Sequence, residues 1–178
     1  MTLQELFEKS YAGLTDKGDT HDYINGYYQE EFKDKRDAAL NILEIGVFEG
    51  GSMVMFSEWM PNAIMEGIDI NTPRFMAKNT YIGDAYCQDT VSRYQDGHYD
   101  YIIDDGPHTL ESMLYAIRHY TSKLKEGGKL IIEDVRNISW CDDLRTAAME
   151  KGLVKFTIFD LRSNKNRYDD ILVEIVKL

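Results

Sequence analysis

The sequence predicts an α/β fold: seven strand-like runs forming a mostly parallel sheet with an antiparallel final strand, and helices on both faces. Three observations carry this. From Asn41 onward, short apolar runs alternate with helical patterns, the mark of βαβ units. The first run, Asn41-Ile-Leu-Glu-Ile, leads straight into a turn containing Gly46, Gly50 and Gly51. Such a strand-turn-helix unit lets a ligand approach the backbone and offers it unpaired N–H groups. The last two runs are joined by residues 162–170, a polar segment too short for a crossover helix, so they must pair antiparallel.

Taken in order, Leu3, Leu6, Phe7 and Tyr11 recur at helical spacing and make residues 2–12 an amphipathic helix ended by Gly13. Residues 15–20 lack apolar periodicity and read as loop. A Tyr-rich helical stretch spans 21–39, its stripe of Tyr23, Tyr27, Tyr28 and Phe32 serving as core packing. Strands are expected at 42–47, 64–70, weakly at 81–83, then at 99–104, 129–133, 155–161 and 171–176. Helices fill 52–59, 73–79, 110–124 and 142–151, with Gly127-Gly128 and Gly152 as C-terminal stops. Residues 1–40 are read as a helical segment, or lid, packed on a main domain of residues 41–178, all within one structural domain.

The 178 residues, 43% hydrophobic, suffice for one sizeable core. A formal net charge of -11 disfavours nucleic acid and anionic membrane as partners, since both need clustered Lys and Arg. The two cysteines, Cys87 and Cys141, lie far apart without neighbouring ligand patterns, so neither a disulfide framework nor a zinc site is expected. No leader pattern opens the chain and no apolar run approaches bilayer-spanning length. A soluble, cytoplasmic protein is the expectation.

Glu44, Gly46 and Gly50 give Glu-x-Gly-x-x-x-Gly, which differs from the Gly-x-Gly-x-x-Gly fingerprint of dinucleotide binders. Asp69 closes the second strand, where a carboxylate can accept both ribose hydroxyls of a nucleoside or cap a helix. Asp84 ends the third strand on the adenine side. The run Ile102-Ile103-Asp104-Asp105-Gly106-Pro107-His108 delivers two carboxylates and an imidazole to the carboxyl edge of the sheet, and Glu133-Asp134 ends a neighbouring strand. Strand spacing puts Asp105 and Asp134 about 4.8 Å plus side-chain reach apart. Carboxylates that close repel unless a cation lies between them. Oxygen ligands without a thiolate suit Mg2+, with Mn2+ or Ca2+ as alternatives, and leave His108 free as a base. The plainer reading is that strand-end Asp residues cap helices and that residues 106–109 form a turn with Thr109 as N-cap.

Five segments resemble the macrolide and antibiotic sugar O-methyltransferase family, which includes the mycinamicin, macrocin and rhamnosyl enzymes. They are Thr15-Asp16-Lys17-Gly18 with His21 and Tyr23, Leu43 to Ser52, Gly67-Ile68-Asp69, Ile102 to His108, and Leu124 to Asp134. The resemblance implies a Rossmann-like class I fold, S-adenosylmethionine as methyl donor, magnesium, and a sugar hydroxyl as acceptor. It places Lys17, Glu44, Gly46, Gly50, Ser52, Asp69, Asp84 and Asp104 around the cofactor. Asp105, Asp134 and Glu133 become metal ligands, and His108, with Asp105, becomes catalytic. A further acidic ligand from the N-terminal segment has Glu30 and Glu31 as candidates, and homo-oligomers are implied. Pro107 stands where the family has Ser, and the chain is shorter than the natural-product enzymes. A catechol-like diol acceptor and a non-catalytic S-adenosylmethionine-binding module are the competing readings.

Overall fold

The computed structural model describes residues 1–152 and 155–178. Its strands are β1 (Asn41–Ile45), β2 (Ile64–Asp69), β3 (Thr80–Ile82), β4 (Tyr99–Asp104), β5 (Leu124–Ile132), β6 (Lys155–Asp160) and β7 (Ile171–Val176). They form one seven-stranded sheet in the order β3-β2-β1-β4-β5-β7-β6. The pairs β1/β2, β1/β4, β2/β3 and β4/β5 are parallel, and β7 runs antiparallel to both of its neighbours, β5 and β6. Strand order reverses between β1 and β4, and such a switch point opens a crevice at the carboxyl ends of the strands.

Side chains alternate across each strand, so adjacent residues feed two cores. Ile102, Leu130, Val173 and Ile175 pack under α6 (Leu110–Tyr120) and α7 (Trp140–Glu150), which contribute Met113, Ala116, Ile117, Leu144 and Ala148. Ile103, Ile131 and Leu172 face the other way. There they meet α1 (Leu3–Leu6) with its π-helical continuation Phe7–Tyr11, the π-helical Ile24–Tyr28 leading into α3 (Gln29–Phe32), and α4 (Gly51–Trp59). Leu3, Tyr28, Phe32 and Phe56 are fully buried in this second core. Each such side chain contributes roughly 1.5–3 kcal/mol relative to exposure, which ties the N-terminal segment firmly to the sheet.

Several expected elements differ. Residues 15–20 contain a one-turn helix, α2 (Asp16–Asp19), capped by Thr15 Oγ1, which accepts from the Lys17 N–H. The helix over 21–39 ends at Phe32, beyond which the chain turns. The span 73–79 shrinks to one 3-10 turn, Ala77–Asn79, where Met76 enters the left-handed region. A short α5 (Gln88–Val91) and α8 (Arg162–Lys165) are additional. Gly127-Gly128 are not a helix stop but lie inside β5, whose Leu124 already pairs with Tyr99 before a register shift. No helix among the described residues is long and apolar enough to cross a membrane.

Candidate functional site

A cavity of about 1110 Å³ opens at the carboxyl ends of β1, β2 and β4, lined among others by Gly46, Ser52, Asp69, Asp84, Asp105 and His108. Its floor demands glycine. Gly46 has φ +83°, and a Cβ there would collide with the Asp105 carbonyl; a Cβ on Gly51 would collide with the Leu14 carbonyl. Strand end, glycine turn and N-terminal segment therefore meet backbone to backbone. Asp69 Oδ2 accepts from the Phe48 N–H (2.8 Å) and Oδ1 from the Asn71 N–H (2.7 Å), which fixes the turn and leaves the carboxylate on the cavity wall. Asp84 Oδ1 accepts from the Tyr86 N–H at 2.8 Å on the same wall.

Four residues assigned to the cofactor on resemblance, Lys17, Glu44, Gly50 and Asp104, stand behind this wall rather than on it. Gly50, at φ +87°, starts α4. Buried Glu44 accepts from Ser52 Oγ (2.7 and 2.8 Å), tying β1 to the first turn of α4. Asp104 accepts from the Tyr86 hydroxyl. Burial, reinforced by the Asp105 charge, pushes Asp104 up to about 7 against the donors of Tyr86 and Gly106. Lys17 is 1% exposed. Its ammonium contacts Asp105 Oδ2 (2.6 Å), Glu44 Oε1 (3.3 Å) and Glu133 Oε2. Burial alone would lower the Lys17 pKa, but the charges of Asp105, Glu133 and Glu44 hold it well above the usual lysine range.

Asp105, His108 and Asp134 converge, each offering one ligand atom within 4.8 Å of the others. His108 Nε2 lies 3.5 Å from Asp134 Oδ2 and 3.9 Å from Asp105 Oδ1. Both His108 and Asp134 adopt φ +54°, a left-handed conformation that costs a non-glycine residue about 1–3 kcal/mol and concentrates at functional sites. Burial, then the Asp105 charge, raises the Asp134 pKa against the opposing His21, Tyr23 and His108. Thr109 Oγ1 caps α6 by accepting from the Ser112 N–H (3.1 Å), so the capping reading of this turn holds alongside the cluster.

Glu133, expected as a further metal ligand, lies outside this three-residue cluster, on the far side of Lys17 from Asp105. It accepts from Lys17 and from the Tyr28 hydroxyl, both on the N-terminal segment. Neither acidic candidate from that segment reaches the site. Glu30 is exposed and pairs with Lys33, while Glu31 binds Lys35, Lys129 and Tyr101. What the sequence reading left unassigned is the contribution of His21 and Tyr23. Tyr23 donates to Asp134 Oδ1 (2.6 Å), and His21 Nδ1 lies 2.7 Å from Asp170 Oδ1. Their signal was the His-x-Tyr spacing. The two carboxylates are the hard oxygen donors that suit Mg2+, and the imidazole beside them is left for proton transfer; His108 Nδ1 is buried with no hydrogen-bond partner among the described residues.

No protein-family model matches the chain. Fold comparison defines its class: the chain has the class I S-adenosylmethionine-dependent methyltransferase fold. A structure of the MycE methyltransferase from the mycinamycin biosynthetic pathway, in complex with Mg and SAH, matches 99% of this chain and 55% of that one, with TM-score 0.76 and 21% identity. Geranyl diphosphate C-methyltransferase from Streptomyces coelicolor matches with TM-score 0.60 and 13% identity, over 88% of this chain and 79% of that one. Within the class, the chain's sequence is similar to macrolide sugar O-methyltransferases. It is 25% identical to demethylmacrocin O-methyltransferase of Streptomyces fradiae (89% of this chain, 45% of the relative). It is 29% identical to L-olivosyl-oleandolide 3-O-methyltransferase of Streptomyces antibioticus (79% and 42%) and 28% identical to mycinamicin VI 2''-O-methyltransferase of Micromonospora griseorubida (86% and 43%). The chain thus spans less than half the length of these relatives.

Proposed function

We propose that this chain transfers a methyl group from S-adenosylmethionine to a hydroxyl of a sugar or glycosylated small molecule, with a divalent cation, Mg2+ foremost. The observation that carries the reading is the convergence of Asp105, His108 and Asp134, the first two of which line the glycine-turn cavity. Bound, the donor supplies an electrophilic methyl group and the cation supplies charge that makes the acceptor hydroxyl more acidic. The residues fit both groups. Asp105 and Asp134 would hold the cation, and Asp69 and Asp84, on the cavity wall, would take the nucleoside; Gly46 and Gly51 let the backbone of the turn close against Asp105 and Leu14 and so shape the cavity. His108 takes the proton from the acceptor oxygen, a role worth about 10²–10⁴-fold.

Relatives whose names describe sugar O-methylation, and a fold neighbour crystallised with Mg and SAH, support the same chemistry. A cytoplasmic location, self-association and a small-molecule rather than nucleic-acid or membrane partner belong to this reading. Calorimetry with S-adenosylmethionine and with NAD, each with and without Mg2+, followed by methyl transfer to glycoside and catechol acceptors, tests it. Binding of the methyl donor alone and Mg2+-dependent methylation of glycosides are expected. Donor binding without any metal-dependent transfer would instead make the chain a non-catalytic binding module, and a preference for catechols would move the acceptor class.

A further inference from the structure

The chemistry above leaves unused the side chains by which residues 1–40 reach the cavity end of the sheet. Tyr23 grips Asp134 at two points. Its hydroxyl donates to Oδ1 (2.6 Å) and accepts from the Asp134 N–H (3.1 Å). One hydroxyl thereby fixes both the carboxylate and a backbone held at φ +54°, and it leaves Oδ2 toward His108. Lys17 treats Asp105 alike. Its ammonium takes Oδ2 at 2.6 Å and leaves Oδ1 toward His108. Each carboxylate is tied through one oxygen from the N-terminal side and presents the other to the cluster.

The ties are themselves held. The His21 ring stacks on Tyr23 with centroids 4.9 Å apart and planes 7° from parallel, and His21 Nδ1 is anchored on Asp170. Lys17 sits in capped α2, where the Phe7 ring would clash with any Cβ on Gly18 and Lys165 binds the Gly18 and Asp19 carbonyls. Tyr23 and Lys17 are each 1% exposed, so water has no ready path to replace either contact.

We propose that Tyr23 and Lys17 are positioning residues that preset Asp134 and Asp105 as a matched pair of cation ligands, which makes the N-terminal segment part of the metal site. The inference rests on the metal-dependent reading above. Hydrogen-bond partners of metal ligands orient the donor atoms, and losing one typically costs about 10–100-fold in metal affinity.

Mn2+ titrated into wild type, Tyr23→Phe and Tyr27→Phe, followed by electron paramagnetic resonance, tests this. Tyr27, on the same segment, is the matched control: its hydroxyl donates to buried Glu174 of β7 (2.7 Å), away from the cluster. Tyr23→Phe should bind Mn2+ at least about tenfold more weakly with unchanged affinity for S-adenosylmethionine, and Tyr27→Phe should match wild type. Should Tyr23→Phe fail to fold, Lys17→Arg, which keeps the charge but moves it, should weaken Mn2+ binding similarly. Wild-type Mn2+ affinity in the folded variant, or an equal loss in both tyrosine variants, would overturn the positioning roles alone. A wild type that takes up no Mn2+ would overturn the metal reading, and the inference with it.

Discussion

At Glu31 and Glu174 two carboxylates meet two ammonium groups, whereas at the carboxyl ends of β1, β4 and β5 three carboxylates share one and a fourth, Asp134, pairs with none among the described residues. In the first cluster Lys129 bridges Glu31 (2.6 Å) and Glu174 (2.8 Å), Lys35 adds a second bond to Glu31 (2.7 Å), and Tyr27 and Tyr101 donate hydroxyls. In the second, Glu44, Asp105 and Glu133 surround Lys17, and Asp134 stands beside them with His21 and His108. The parts are alike, and both clusters receive tyrosines from the N-terminal segment. Their ionisation differs. Burial would raise Glu31, but hydrogen bonds from Lys129, Lys35 and Tyr101 outweigh it and hold the carboxyl below its usual range. Glu44, Glu133 and Asp134 are all pushed up, by burial first and by the Asp105 charge in addition. The balanced cluster is a closed structural tie. The other has carboxylates in excess of its one ammonium beside a cavity, an arrangement that the proposed divalent cation would complement.

This contrast can be broken or sharpened by mutation. The largest effect should come from His108→Ala, expected to lower turnover by about 10²–10⁴-fold with S-adenosylmethionine affinity retained. Glu31→Gln, in the closed cluster, should leave turnover unchanged in the same assay. Removing each lysine separates the clusters by stability. Lys17→Met strands buried carboxylates and should cost about 3–5 kcal/mol in denaturant unfolding. Lys129→Met should cost nearer 1 kcal/mol, since Lys129 is 20% exposed and water can share the load. Equal losses would mean that the two cages are equivalent after all.

The smallest effect is in pH dependence, and the two sites should respond with opposite sign. Asp104 has a folded pKa of about 7, above the unfolded value of roughly 3.9. Its contribution to stability is therefore complete below about pH 4 and lost as pH rises through about 7. Asp104→Asn, which resembles the protonated form, should flatten the fall in unfolding midpoint over that window. Glu31, held low, contributes above its unfolded pKa of roughly 4.3 and loses that contribution as pH falls through its folded value. Glu31→Gln should flatten the acid limb instead. Thermal melts across pH read both.

The sheet was largely legible in the sequence because its central strands are apolar runs buried on both faces, and β4 runs over the expected 99–104. The convergence of Asp105, His108 and Asp134 followed from strand-end position and β4/β5 adjacency, and so was legible too. Lys17 was not. Its partners Asp105 and Glu133 lie 88 and 116 residues away, and only tertiary packing of α2 brings the ammonium between them. Glu133 and Asp134 looked interchangeable as ligands. The left-handed backbone at Asp134 separates them, sending one to Lys17 and Tyr28 and the other to His108. Gly127-Gly128 misled because a glycine pair after a helical pattern resembles a C-cap, whereas here it bends a strand that has already begun.

The central proposal is that Asp105 and Asp134 would hold a divalent cation beside His108. Calorimetric titration of Mg2+ into the wild-type protein and into Asp105→Asn tests it most directly. The account predicts saturable binding to the wild type that is lost in Asp105→Asn. Absence of binding, or equal binding by the variant, would contradict it.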